Sequence, residues 1–438
     1  MKTRMRMALA STALLAATAV TAPPAFSQDG IYTPNLAYRT GPFAATGTPL
    51  MNGQRDYMTL INERDGGVNG VRIEYDECET GYNTERGMEC YEATRANAVV
   101  TQPWSTGITL GVLPRTNVDQ IPILAPGYGF SPMADGNVFK WAFNPPSSYW
   151  DGASILLNHA AGGDLASLEG KKLVLLHLDA PYGREPIPLL QKYAEEHGFT
   201  LVPIPVAVTE MQNQSAQWLQ IRRENPDFVF MWGWGAMNVG ALTEAVRTRF
   251  PMEKFFGIWW SGHDGDMANV GEAGKGYRSV SWSAPVSDAP IMADIREHVI
   301  EPGLSQIGNE SELDWVFYQR GLGISMMLVE GIKAAQEEFD TQAVTPEQVR
   351  WGLENLKIDE AKLEELGMSG MIVPFETTCA NHSGHGGGWI LEWDGAKFVP
   401  VTEVMTSDRD VIEPLEEAEA ANYATSNAPW PQNDECQL

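Results

Sequence analysis

Lys172-Leu173-Val174-Leu175-Leu176-His177-Leu178, followed by Asp179-Ala180-Pro181-Tyr182-Gly183, is the stretch that decides the fold. A short apolar run ending in turn residues reads as a strand, and Ile187 to His197 follows with helical spacing. The unit then repeats. Leu201 to Val206, Phe228 to Trp232 and Phe255 to Trp259 read as strands, separated by helices at Gln214 to Glu224 and Ala236 to Phe250. Alternating strands and helices build a parallel sheet covered on both faces.

The same pattern runs upstream. Helices are expected over Met51 to Arg64, Glu85 to Asn97 and Val112 to Asp119, and strands over Val71 to Tyr75, Ala98 to Val100, Ile121 to Leu124 and Phe139 to Phe143. Two wound sheets in one chain suggest an α/β protein with two lobes around a cleft. Downstream, Asp314 to Phe339 is a long apolar helix, and Thr345-Pro346-Glu347 opens another. Trp389 to Trp393 and Lys397 to Val401 flank Asp394-Gly395 as a hairpin. The segment from about Glu413 to Leu438 is acidic and rich in Ala and Asn, and is expected to wrap loosely until Cys436 pins it.

The first 27 residues read as a secretory signal. Lys2, Arg4 and Arg6 precede the uncharged run Met7 to Val20, and Ala25-Phe26-Ser27 offers small residues at the cleavage positions before Gln28. A membrane anchor fits less well, because the apolar run is shorter than the ~20 residues a spanning helix needs. The chain carries 30 basic and 57 acidic residues, a formal charge of −27 that loss of the leader makes more negative. Such a surface repels nucleic acid and anionic lipid, although acidity also simply keeps an exported protein soluble.

Four cysteines, Cys78, Cys90, Cys379 and Cys436, suggest two disulfides in an oxidising compartment. Three pairings are possible. Proximity favours Cys78 with Cys90, leaving Cys379 for Cys436. No CxxC or HxxxH spacing supports a metal site, and no cofactor is expected. GxSxG, Walker A, HExxH and GxGxxG are all missing, so no enzyme motif stands. The cluster His382-Ser383-Gly384-His385 is the one place where a metal-dependent hydrolase would have to be built, and no suitably spaced carboxylate completes it.

Ligands of open α/β sheets sit beyond the carboxyl ends of strands. There the chain places Trp104-Ser105-Thr106-Gly107, Pro126-Gly127-Tyr128-Gly129, Tyr182, Trp232-Gly233-Trp234-Gly235 and Trp259-Trp260-Ser261-Gly262-His263-Asp264. Ser105 and Thr106 can offer hydroxyls and N–H groups to a carboxylate, or Ser105 can serve as a plain helix cap. Gly127 and Gly129 allow close backbone approach, and Tyr128 can stack on a ligand. Trp232, Trp234 and Trp260 offer flat apolar walls. Asp264 or Asp266 can meet an amine, or either can cap a loop.

Ser105-Thr106-Gly107, Ala180-Pro181-Tyr182-Gly183 and Trp232-Gly233-Trp234-Gly235, with Tyr38-Arg39-Thr40-Gly41-Pro42 and Asn62-Glu63-Arg64-Asp65-Gly66-Gly67-Val68-Asn69-Gly70, give the chain a resemblance to type I periplasmic solute-binding proteins. The relatives serve ABC importers of the branched-chain amino-acid type. The resemblance covers nearly all of the chain after the leader. It implies two doubly wound parallel-sheet lobes joined by a three-strand hinge: lobe one from 28–146 and 282–373, lobe two from 147–281 and 374–400, and a C-terminal extension over 401–438. By similarity, Ser105, Thr106 and the Gly127 to Gly129 backbone would hold a carboxylate. Tyr182 would cover the ligand, Trp232 or Trp234 would line its pocket, and an acid near Asp264 would hold an amine. The early cysteine pair fits a disulfide of relatives.

Phe43, Tyr128-Gly129 and the Trp259-Trp260 turn depart from the amino-acid-binding pattern and suit a planar or apolar acid. The implied protein is a periplasmic, monomeric component that captures a small organic carboxylate, an aromatic acid or a branched-chain or apolar amino acid, by hinge closure. Its partners are that small molecule and permease subunits of the inner membrane. A sensory protein presenting solute to a receptor is the alternative, as is a binder of short amides or urea.

Overall fold

The computed structural model describes residues 30–437, so the expected leader at 1–27 lies outside the described residues. The first sheet comprises β1 (Ile31–Leu36), β2 (Ile73–Glu77), β3 (Gln102–Pro103), β4 (Ile123–Leu124) and β5 (Ala142–Phe143). Strands pair in the order β2-β1-β3, and a parallel bridge from Thr101 to Ile123 carries the sheet on to the β4-β5 pair. Every pairing is parallel.

The second sheet comprises β6 (Lys172–Leu178), β7 (Thr200–Val206), β8 (Phe228–Trp232), β9 (Phe255–Gly257) and β10 (Arg278–Ser281). A small antiparallel pair, β11 (Lys357–Ile358) with β12 (Phe375–Glu376), precedes the hairpin of β13 (Trp389–Trp393) and β14 (Phe398–Pro400). The order is β14-β13-β10-β9-β8-β6-β7. Strands β6 to β10 pair in parallel, and β13 closes the edge antiparallel to β10. Each sheet therefore has its first strand between its second and third. That reversal is the switch point where doubly wound sheets bind ligands.

The two sheets are linked three times. The chain passes from β5 to helix Tyr149–Ala160 and β6, and leaves again after β10 toward helix Val316–Glu338. It returns through the stretch in which Ile372 bridges Ser283 and the Val373 N–H bonds the Trp282 carbonyl. Helix Val316–Glu338 packs on helix Ala44–Arg64 through glycines on both. A Cβ on Gly53 would stand 2.0 Å from the Tyr318 carbonyl oxygen, and one on Gly321 2.3 Å from that of Leu50. The backbones touch, and any side chain there would pry them apart.

Several sequence expectations shift in detail. Helix Ala44–Arg64 begins before Met51, despite Pro49 within it, and the strand expected at Ala98 to Val100 starts four residues later, as β3. The disulfides are Cys78–Cys90 and Cys379–Cys436, the pairing that proximity favours.

The C-terminal expectation is corrected. Residues Arg409–Ser426 form a helix that buries Ile412, Glu416, Ala420 and Ala424 at every fourth position. A charged residue and two alanines in that stripe hide its amphipathic pattern from a hydropathy reading.

Candidate functional site

Both switch points face the same seam. From the first sheet β1 runs out to Tyr38 and β3 to Ser105 and Thr106, while β6 leads to Tyr182 and β8 to Trp232 and Trp234. Ser105 is the N-cap of helix Thr106–Asp119, its Oγ accepting the Ile108 N–H at 3.4 Å. The plain cap role is thus filled. Thr106 differs: it is 1% exposed, and its Oγ1 has no hydrogen-bond partner among the described residues. The Tyr82 hydroxyl lies beside Ser105 and that of Tyr149 beside Thr106. Buried hydroxyls at a helix N-terminus, with the positive end of the dipole behind them, favour an anion.

The aromatic residues form a packed cluster across the seam. Tyr128 lies 4.3 Å from Trp260 between ring centroids, and its hydroxyl shares a 2.7 Å hydrogen bond with that of Tyr38. Trp234 sets its edge against Tyr38, Tyr128 and Trp260. Tyr149 joins Trp232 and Tyr182 to the cluster, and the Tyr182 hydroxyl donates to the Gly233 carbonyl at 2.9 Å.

The backbone at Gly127 was expected beside a ligand; its carbonyl accepts the indole N–H groups of Trp259 at 3.0 Å and Trp260 at 2.6 Å. Gly127 has φ +68°, and a Cβ on it would stand 2.9 Å from the indole nitrogens of both Trp259 and Trp282. Glycine is the residue that lets these two sheets meet here.

Under the cluster lies Arg320, which the sequence reading did not single out. It is fully buried, with its guanidinium 4.7 to 5.1 Å from the rings of Phe317, Trp260 and Trp282. It donates to Ser281 Oγ, Ser283 Oγ and the Trp259 carbonyl at 2.7 to 2.8 Å. Among the described residues no carboxylate pairs with it directly, and desolvation pulls its pKa down to about 9. Tyr38, Tyr82 and Tyr149 were missed as well. Tyr38 stood inside a quoted motif, and an aromatic beside a helix cap at Ser148-Tyr149 was the available signal for the last. Nothing in the long apolar stretch marked Arg320.

The acids near the seam are engaged. Asp264 Oδ2 accepts the Val316 N–H at 2.9 Å, at the start of helix Val316–Glu338, and burial raises its pKa to about 6. Asp266 accepts from Asn238 Nδ2 at 2.8 Å, and desolvation raises it to about 8. Glu185 accepts the Ser131 N–H across the seam at 2.9 Å, and burial lifts it to about 8. That shift favours the protonated carboxyl at neutral pH, a form that can donate.

A cavity of about 190 Å³ opens on the seam. Thr106, Gly129 and Phe130 line one side, Trp150 and Glu185 the other, and Glu419 of the C-terminal helix the rim. Of the expected ligand residues, Thr106 and Gly129 reach this cavity, while Tyr128, Trp232, Trp234 and Trp260 are packed into the cluster beside it. The histidine loop serves the chain crossing. His382 Nδ1 lies 2.9 Å from the Ala142 carbonyl with its ring stacked on Phe143, and His385 meets Ser383. Among the described residues no three metal-ligating groups converge.

Comparison with known proteins adds to this geometry. A family model described as periplasmic binding protein matches residues 31–397. A crystal structure described as an ABC transporter permease from the Pseudomonas fluorescens group is 34% identical. It aligns over 93% of this chain and 100% of its own, with a TM-score of 0.85. A branched-chain amino acid ABC transporter from Thermus thermophilus with bound valine is 24% identical, covers 88% and 98% of the two chains, and has a TM-score of 0.74. An ABC transporter solute-binding protein from R. palustris in complex with benzoate is 16% identical, covers 86% and 97%, and has a TM-score of 0.66. The last two likenesses concern the fold alone. No curated protein matches the chain.

Proposed function

Because the chain belongs to the periplasmic binding protein family, we propose that it captures a small organic acid lacking an amino group. Family membership makes it the substrate-binding component of an ABC transporter rather than an enzyme, a periplasmic protein that takes up a small molecule and meets permease subunits. The proposal concerns the solute, its contacts and a monomeric state.

One observation carries it: the buried Thr106 hydroxyl, without a partner among the described residues, at a helix N-terminus on the seam cavity. A carboxylate there accepts from Thr106 and the first-turn N–H groups, and a protonated Glu185 can donate from the facing lobe. An ammonium group fares worse. Asp264 is bonded to a helix terminus, Asp266 and Glu185 are held largely neutral at pH 7, and the remaining acid, Glu419 at the rim, shares the cavity lining with Arg184.

The cavity, about 190 Å³, lies below the ~300 Å³ at which ordinary ligand pockets begin, which suits a compact solute such as a benzoate-sized acid. Trp150, Tyr182 and Glu185 lie on the second-sheet side. Contacts that solute makes with both sides in the closed form shift the open–closed balance. A thermal-shift and calorimetric comparison tests this. Benzoate should raise Tm, while benzamide and leucine leave it unchanged. At a hundredfold excess over Kd the gain is about 2.7 kcal/mol. A rise with leucine or valine and none with carboxylates overturns the proposal and makes Asp264 the residue to mutate.

A further inference from the structure

We infer that the C-terminal segment Ser407 to Cys436 is a strap that ties the two lobes together and forms the outer wall of the solute cavity. The second sheet is complete at β14, which ends at Pro400. The chain nevertheless continues, and its contacts alternate between the two sides of the seam.

The first anchor is on helix Tyr149–Ala160, which packs against the second sheet at β10. Ser407 Oγ donates to Asp151 Oδ1 at 2.5 Å, and the Asp408 N–H to Ser154 Oγ at 3.0 Å. Arg409 then bridges Asp151 at 2.9 Å and Glu416 at 2.5 Å, all three carboxylate and guanidinium groups being largely or wholly buried. Glu416 also receives the Ser148 hydroxyl at 3.3 Å, so the node grips the point where the chain first crosses between sheets.

The second anchor lies on the segment between β4 and β5 of the first sheet. Tyr423 packs on Phe130 and Phe139, with centroids 5.8 and 5.3 Å away. Trp430 Nε1 donates to the Val138 carbonyl at 2.8 Å, and the Asn433 N–H to that of Asn137 at 2.8 Å. Lys140 pairs with Glu435 at 2.6 Å, and the Cys379–Cys436 disulfide fixes the far end. Between the two anchors, Glu419 lines the same cavity as Trp150 and Glu185.

A segment anchored on both lobes resists rotation about the crossings, because opening breaks one set of contacts. Its bonds belong to the closed arrangement and weight that state before any solute arrives. The wall role rests on the proposed solute site; the tie between lobes does not.

The test uses the full mature chain. Small-angle X-ray scattering of the solute-free protein is compared between wild type and Tyr423→Ala, with benzoate calorimetry alongside. The expected result is a larger radius of gyration for the variant and benzoate binding weakened about tenfold, within the usual range of coupling between sites. If Tyr423→Ala does not fold, Cys436→Ser releases the far anchor with the aromatic ring left in place and is read in the same way. An unchanged radius in a folded variant overturns the strap, whatever the affinity does. A larger radius in the variant, with no carboxylate binding even to wild type, sustains the strap and removes the acid-binding proposal and the wall role with it.

Discussion

Replacing Thr106 by valine separates a solute-binding hydroxyl from a structural one. The Oγ1 is buried, and no described residue completes a hydrogen bond to it, although the Tyr149 hydroxyl lies nearby. Tyr149 is itself engaged by the Trp260 indole N–H at 3.0 Å. A buried polar atom left without a partner costs about 1–3 kcal/mol of desolvation, so an isosteric methyl should leave stability unchanged or raise it.

Binding should move the other way. A hydrogen bond to an ionised group contributes about 1.5–3 kcal/mol, and each 1.4 kcal/mol is roughly tenfold in affinity. Thr106→Val should therefore weaken carboxylate binding about 10- to 150-fold. Thermal unfolding without solute and calorimetry with benzoate measure the two effects on one sample. A fall in Tm of several degrees with an unchanged Kd would refute the reasoning, since the hydroxyl would then be serving the fold.

Three further outcomes follow from the same structure. Gly235 has φ +58°, and a Cβ on it would stand 2.9 Å from the Phe43 ring and the Pro42 carbonyl across the seam; Gly235→Ala should weaken solute binding about tenfold by propping the lobes apart, and equal affinity in calorimetry refutes this.

Glu185 and Asp266 are raised to about 8 by burial, so the folded protein holds protons that the unfolded chain releases near its ordinary carboxyl pKa. Stability should accordingly fall as pH rises from 6.5 to 8, a window above the range in which neutral buried His263 opposes the trend. Urea midpoints at the two pH values check this, and a flat profile contradicts it.

Removing the Cys78–Cys90 bond by a double serine substitution should cost about 3 kcal/mol of stability. It should also weaken solute binding, because the loop it closes holds Tyr82 at φ +61° against Tyr38 and Phe43. Chemical denaturation and calorimetry read these separately.

Much of the architecture is local and was therefore legible. The run Lys172 to Leu178 reads as a buried strand because nearly every residue is apolar, and its turn at Asp179 to Gly183 ends it by composition alone. Strand ends then locate Ser105, Thr106, Tyr182 and the tryptophans without any knowledge of strand order. The roles within the site were harder to read. The backbone at Gly127 was expected beside a ligand, but its carbonyl is taken by indoles more than 130 positions away. Asp264 looked like an amine partner, but its Oδ2 meets a helix terminus 52 positions downstream. The C-terminal helix escaped because its buried stripe contains Glu416, whose burial is tolerable only beside Arg409 and Ser148.

The sequence by itself determined the alternation of strands and helices, the strand ends at which a solute can sit, and the cysteines available to tie the chain. Those follow from periodicity and turn chemistry within a dozen residues. Tertiary structure alone decided which groups remain available to a solute, because a donor is available only when nothing else in space has claimed it. It also decided that Arg320 lies buried beneath the aromatic cluster, and that residues 407–436 reach both sides of the seam. A contact between distant residues depends on how two sheets and a returning helix pack, and no local pattern encodes that distance.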